Sequence, residues 1–358
     1  MTTIDAEARH GETGLDGAQI GGFTAHMVTM RWTVDEGWTG PVLGPRTDLS
    51  LPPATAVLHT GQSIIEGLAA HRQQDGTVAI FRPRDHARRF QRSARRLSMP
   101  PLPEEHFVRA LETLVAADHG AMSDQPGWRL YLRPFMFASE ENLVPRPARE
   151  FTFVAIAMII GNYFGEDIES LSVWVCRDFP RAFPGGTGDV KYAGNYAPTL
   201  LAQTKAGQAG CHQVVWLDAA ERRWIEEMGS ANLFFVRGTG SEAVVVTPEL
   251  TGSFLPGVTR DTVLALAARL GYTVRHERMS PERWREECAS GEITETFASG
   301  TATVVTAVGS VTDGESTWAI GDGTPGPVSR AVHQLMIDSQ HGRAADPAGW
   351  RHPVRTPA

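Results

Sequence analysis

The chain has only three cysteines in 358 residues, Cys176, Cys211 and Cys288. They are scattered, odd in number and form no C-x-x-C. Neither a disulfide framework nor a metal site is expected, and each reads as a small buried apolar residue. No apolar run approaches the ~20 residues needed to span a bilayer. Basic residues are not in excess: the net charge is −8 and the pI about 5.9. That balance argues against a nucleic-acid surface. The opening stretch "MTTIDAEARHGETGLDGAQ" is polar and carries several acids. It resembles neither a secretory signal nor a transit peptide, so the cytoplasm is the expected compartment. There is no internal repeat and no low-complexity tract.

What is present suits a soluble globular protein, with 42% hydrophobic and 21% charged residues. The length allows two domains. Alternation and β-branched content predict strands at 26–33, 76–83, 128–138, 150–160 and 170–178. Amphipathic spacing predicts helices at 86–97, 104–119, 197–210, 259–271, 280–291 and 328–342. Ser280-Pro281-Glu282 is an apt helix start. Residues 212–238 read as three strands, the first two joined by a turn at Asp218. The stretch "GNYFGEDIE" interrupts the apolar pattern with glycines and acids. The expected division is a tail at 1–20, a smaller N-terminal domain at 21–160, a linker at 161–170 and a larger C-terminal domain at 171–358. The fold class is α/β (α+β), with a ligand cleft between the two domains.

One segment asks for chemistry. In "GGTGDVKYAGNYAPTLLAQ" a single lysine, Lys191, stands among glycines, an asparagine and two tyrosines. A P-loop needs G-x-x-x-x-G-K-S/T, and the Gly-Lys pair is missing. A dinucleotide fingerprint fails too, because "GTGDVK" puts lysine where its third glycine belongs. A Schiff-base lysine is the third option, since an amine attacks a carbonyl only when unprotonated and held in place. Pyridoxal phosphate also needs a carboxylate for its ring nitrogen, a donor to its ring oxygen and a cup of backbone N–H groups. Glu226 and Glu227 in "WIEEMGSANLFF", the turn "LPGVTRDT" before a helix, and "SGTA" at 299–302 are candidates. A surface lysine and ordinary glycine turns remain the plainer alternative, and composition alone does not assemble the parts.

In this order the segments resemble the branched-chain amino acid aminotransferases, in the class-IV (fold type IV) group of pyridoxal-phosphate enzymes. The match runs from about Gly22 to the closing "HGRAADPAGW", and is strongest in "GDVKYAGNYAPTLLAQ", "GCHQVVWLD" and "EEMGSANLFFV". The resemblance implies that Lys191 forms the Schiff base and shuttles the proton. It implies that Glu227 holds the ring nitrogen protonated, that Tyr196 bonds the ring oxygen, and that Leu255 packs on the ring face. Arg89, Thr301 and the backbone of Val258 and Thr259 would hold the phosphate. Glu226, next to Glu227 on a strand, should face the other way. Tyr131 and Arg133 in "LYLRP" would receive substrate carboxylates, and Phe23, Thr60, Ile65, Ser230 and Ala302 would line the substrate pocket. A homodimer and exchange of amino groups between branched-chain amino acids and 2-oxoglutarate by a ping-pong mechanism are implied as well.

The sequence departs from the family pattern around residues 58–71, and the human-type C-x-x-C redox pair is absent after "SGTA". The pattern close to H-Y-G-Q-x-x-F-E-G-L-K-A-Y-R becomes "HTGQSIIEGLAAHR", with Thr60 for Tyr, Ile65 for Phe and Ala69 for Lys. Each aromatic ring covers about 150–250 Å², so the pocket is expected to be either reshaped or refilled by neighbours. A same-fold aminotransferase for another bulky 2-oxo acid is one alternative. Other chemistry on the fold, as in D-amino acid aminotransferases and aminodeoxychorismate lyase, is a second. A non-catalytic cofactor-binding homologue is a third.

Overall fold

The protein is described here from a computed structural model, covering residues 20–123, 125, 127–161, 164 and 169–356. The expected tail at 1–20, apart from Ile20, and most of the expected linker at 161–170 lie outside these residues.

Two nine-stranded sheets carry the described chain. In the first, the strand order is Arg351–Val354, Val78–Phe81, Leu68–Arg72, Arg129–Ala138, Glu150–Ile160, Ile20–Thr33 and Gly37–Trp38. Val42–Pro45 pairs with Ile20–Thr33, and Ser63–Ile65 with Arg129–Ala138. Every pairing in this sheet is antiparallel. Two helices cover one face. In Glu104–Asp118, Phe107, Leu111, Leu114 and Val115 recur at helical spacing and are buried. They meet Phe90 of the helix Pro83–Arg96, whose ring centroid lies 5.4 Å from Phe107 and 5.8 Å from Phe153 of the sheet. Pro83 starts that helix with its φ already set.

The second sheet is mixed. Its order is Ile225–Met228, Gln213–Leu217, Ser170–Cys176, Val304–Asp313, Ile293–Gly300, Asn232–Arg237, Val244–Thr247 and Thr273–His276, with Ser316–Ala319 beside Val304–Asp313. Ser170–Cys176 runs parallel to Gln213–Leu217, and Val244–Thr247 parallel to Thr273–His276. A parallel pair cannot be closed by a tight turn and needs a crossover connection. The first crossover contains the Lys191 segment and the helix Leu200–Gln208. The second contains the helix Val258–Arg269. Both segments singled out in the sequence therefore sit on connections that leave the sheet and return.

Most expected elements appear within a few residues. Ser280 caps the helix Pro281–Ser290, its Oγ accepting from the Arg283 N–H at 3.2 Å. The Asp218 turn joins Gln213–Leu217 to Ile225–Met228, and the Asp218 carboxylate accepts from four backbone N–H groups, of Ala220, Glu221, Arg223 and Trp224. One expectation differs. The last strand, Arg351–Val354, belongs by chain position to the C-terminal domain, but it pairs with Val78–Phe81 in the first sheet. Strand edges bond by geometry, and chain order does not bind them. The helix Pro327–Gln340 carries the chain back. It is packed on the second sheet through Val328, Val332 and Met336.

Candidate active site

The Lys191 segment is held by the first sheet and the helix that covers it. Its N–H donates to Ser93 Oγ at 3.0 Å, and its C=O accepts from the Ile65 N–H at 3.0 Å. Asn195 braces the loop from within. Its Nδ2 donates to the carbonyls of Thr187 (2.7 Å) and Val190 (3.0 Å), and its Oδ1 accepts from Thr187 Oγ1 at 2.7 Å. Arg96 adds bonds to the Gly185 and Gly186 carbonyls. With the backbone fixed on both sides, Lys191 Nζ reaches Tyr196 Oη at 3.1 Å. No acid pairs with this amine among the described residues.

Two adjacent carboxylates lie across from it. Trp216 pairs with Glu227 and Leu217 with Ile225, so Glu226 is the extra residue of a bulge. Bulges re-aim side chains, and here the two acids part as expected. Glu226 accepts from Thr251 Oγ1 at 3.2 Å and from Ser253 Oγ. Glu227 turns to Arg181, whose Nε lies 2.5 Å from Oε1. That N–H is not directed at the oxygen, so the contact is an ion contact without a formed hydrogen bond. No side-chain hydrogen bond reaches Glu227 among the described residues. Burial pushes its carboxyl up to about 7, against the pull of Arg181 and the nearby Lys191 and the Leu255 N–H. Arg181, Tyr196, Glu227, Ser230 and Leu255 line one narrow cavity.

Beyond it stands the helix Val258–Arg269. Its N-cap is Gly257, with no side chain capping the first turn. The free N–H groups of such a turn form an anion-binding end. Asn232 Nδ2 donates to the Leu255 carbonyl at 3.1 Å and fixes the turn ahead of it. Arg82 ties this end to the first sheet, bonding Thr262 Oγ1 at 2.8 Å and Asp261 at 2.7 Å. Thr301, in the turn after Ile293–Gly300, also reaches toward the first sheet: its Oγ1 donates to the Gly67 carbonyl at 2.9 Å. Arg89 is buried and forks onto Glu66, with bonds of 2.6 and 2.8 Å, while His86 Nδ1 lies 2.8 Å from the same carboxylate. Arg89 Nη1 has no hydrogen bond among the described residues.

Arg133 Nη2 donates to Tyr131 Oη at 2.9 Å, and the guanidinium lies over that ring. The other half of Arg133 is uncommitted. It has no acidic partner among the described residues, and its buried Nε has no hydrogen bond. Ile65 is half-buried beside Lys191. Thr60 is exposed, its hydroxyl returned to the Ala56 carbonyl. Ala302 offers its carbonyl to Arg129 Nη2. Phe23 is 56% exposed and stacked under Arg46, and no contact joins it to the other site residues among those described.

Residues 65–311 match the family described as amino-transferase class IV. The chain belongs to the class IV aminotransferases. It is 47% identical to the branched-chain-amino-acid aminotransferase of Mycolicibacterium smegmatis, over 92% of this chain and 89% of that one. It is 48% identical to the probable branched-chain-amino-acid aminotransferase of Streptomyces coelicolor, covering 92% and 90%. Among solved structures, the Escherichia coli branched-chain amino acid aminotransferase superposes with a TM-score of 0.74 at 26% identity, covering 93% of this chain and 100% of that one. The T.th. branched-chain amino acid aminotransferase, solved with pyridoxamine 5′-phosphate, gives 0.74 at 28%, covering 91% and 98%.

The residues present fit a pyridoxal-type group. A buried carboxylate without a side-chain hydrogen bond, Glu227, lines a cavity with Tyr196, which the Lys191 amine meets, and with Leu255, in the turn ahead of an uncapped helix end. Sequence reasoning missed Arg181, Glu66, His86 and Ser93. Arg181 left one signal, as the lone cation in "FPRAFPGG" leading into the lysine segment. Glu66 stood inside a quoted motif, but its partners are 20 and 23 residues away.

Proposed function

We propose that this class IV aminotransferase uses pyridoxal 5′-phosphate to move the amino group between L-branched-chain amino acids and 2-oxoglutarate. The observation that carries the reading is the cavity lined by Tyr196, Glu227 and Leu255, with Lys191 Nζ 3.1 Å from Tyr196 Oη and Arg133 uncommitted on the substrate side. The relatives above are named for branched-chain amino acids, which supports that substrate class.

When bound, the cofactor draws electron density away from the substrate Cα–H bond. Lys191 Nζ would bind the aldehyde carbon and, once freed, would take and return the proton as a positioned base. Tyr196 Oη, 3.1 Å from that amine, orients it and would donate to the ring oxygen. Glu227 would hold the proton on the ring nitrogen. The N–H groups of Val258 and Thr259, with Thr301 and Arg89 Nη1, would hold the phosphate. Leu255 would pack on the ring. Tyr131 and Arg133 receive a carboxylate, which lets one pocket take an aliphatic side chain and glutamate's second carboxylate in turn. Thr60, Ile65, Ser230 and Ala302 form the pocket on this chain.

The protein acts as a cytoplasmic homodimer in this reading. Leu58, Leu143, Val144, Phe183, Leu200 and Leu201 are large apolar residues left exposed in one chain, and apolar surface of that kind suits a partner subunit. Phe23 joins a pocket only in such an assembly.

Bleaching of the bound cofactor's absorbance by single amino acids tests the reading, because it reports each half-reaction alone. L-Leucine, L-isoleucine, L-valine and L-glutamate should bleach it fastest. Bleaching by glutamate with slow response to all branched acids would assign the enzyme to another bulky 2-oxo acid. No response to any L-amino acid would end the aminotransferase reading.

A further inference from the structure

Glu227 raises an electrostatic problem. It is fully buried, it has a second acid as its chain neighbour, and burial favours its neutral form. A neutral carboxyl cannot keep a proton on a ring nitrogen, because it would hold that proton itself. Something in the protein has to favour the anion.

The charged groups facing Glu227 are few. Glu226 comes from its own strand and opposes the anion. Lys191 favours it from the lysine segment, but that amine is consumed when it bonds the cofactor. The turn at 251–257 contributes only the Leu255 N–H. Arg181 is the remaining cation. Its side chain is 7% exposed, and its position is set by the backbone around it: Nη2 donates to the carbonyls of Gly188 (3.1 Å) and Ser253 (3.2 Å). Gly188 packs against the Ser253 carbonyl with no room for a Cβ, so the pocket that grips the guanidinium is rigid. Ser253 is shared, since its Oγ donates to Glu226 while its carbonyl holds Arg181. The two acids are thereby served separately, one by hydroxyls and one by a cation. The Arg181 Nε–H makes no hydrogen bond, so its contact with the carboxylate is one of charge.

We propose that Arg181 is a positioning residue, whose guanidinium keeps Glu227 ionised and so keeps the proton on the cofactor's ring nitrogen. The proposal rests on the reading that Glu227 faces that nitrogen. It predicts that removing the charge converts the ring from pyridinium to pyridine while the cofactor stays bound.

The test is the ¹⁵N chemical shift of cofactor labelled at the ring nitrogen, bound to wild type, Arg181→Gln, Arg181→Lys and Glu227→Gln. Glutamine removes the charge and keeps a polar amide; lysine keeps the charge. The expected result is a pyridinium shift in wild type and R181K, and a pyridine shift in R181Q and E227Q. The half-reaction with L-leucine should slow about 100-fold in R181Q, within the range of a lost proton-holding group. A pyridinium shift in R181Q beside a pyridine shift in E227Q overturns the role of Arg181 and leaves the reading of Glu227 standing. A pyridinium shift in both overturns both. If R181Q does not fold, Arg181→Met carries the same test: a pyridine shift supports the proposal, and a pyridinium shift overturns it.

Discussion

Glu66 and Glu227 are both fully buried acids within the same site, and their surroundings drive them in opposite directions. Burial acts to raise both. Glu66 is nevertheless held well below the ordinary carboxylate range, because Arg89 forks onto it and His86 adds a third contact. Glu227 has one cation whose N–H is misdirected, and its carboxyl is pushed up to about 7. The difference separates two uses of a buried charge. Glu66 has its lone pairs occupied by protein and serves to fix Arg89. Glu227 takes only the Leu255 N–H and an off-line contact with Arg181, which costs stability and leaves acceptor capacity for a ligand. Arg89 and Arg133 repeat the contrast among the cations: the first is largely committed, the second half-free.

The sharpest way to break this division is at the uncommitted amine. Lys191→Ala should leave the fold and cofactor binding in place and reduce the half-reaction by roughly 10⁴-fold or more, the upper range for a positioned proton carrier. Single-turnover absorbance changes would measure it. Next is Glu66→Gln, which strands a buried arginine. Breaking a buried pair costs about 3–5 kcal/mol, so the melting temperature should fall by several degrees, and phosphate-end binding of the cofactor should weaken with it.

The two acids should also give the apoprotein opposite pH dependence. Glu66 has a lowered folded value, so its contribution is present above the ordinary 4.5 and is lost on acidification. Glu227 has a raised one. Its contribution is fully present below 4.5 and is lost as the pH rises to about 7, a change on the order of 3 kcal/mol. Apoprotein of Glu227→Gln should therefore match wild type in urea midpoint near pH 4.5 and exceed it at pH 8. A midpoint below wild type at pH 8 would show that Glu227 is committed after all.

Two smaller effects concern the substrate side. Arg133→Ala should reduce kcat/KM for glutamate about 10–100-fold, the worth of a charge-assisted bond, and that for leucine less. Thr60→Tyr with Ile65→Phe should change the ranking of leucine, isoleucine and valine by about tenfold, since one methylene in a pocket is worth ~1–3 kcal/mol. An unchanged ranking would mean that neighbouring side chains refill the space of the absent rings.

Much of this was legible in the sequence wherever the cause was local. The helices at 83–96, 104–118 and 281–290 announce themselves by periodicity, the last also by its Ser280 cap. The Asp218 turn follows from a side chain able to accept nearby N–H groups. The segments around Lys191 and Glu227 stood out as polar groups in company that needed a reason. The strands at 293–300 and 304–313 were not read, because their stability comes from pairing with residues far away in the chain. The same holds for the last strand, which crosses back to Val78–Phe81. Arg181 and Glu66 were missed on the same ground. A charge alone says little until its partners are known, and the partner of Arg181 is 46 residues on, from 181 to 227.

The most direct test of the central claim is the single-turnover bleaching of bound cofactor by L-leucine, followed in wild type and in Lys191→Ala. The account predicts rapid bleaching in wild type, its reversal by 2-oxoglutarate, and neither in the variant despite retained cofactor. Bleaching at a wild-type rate in Lys191→Ala would contradict it.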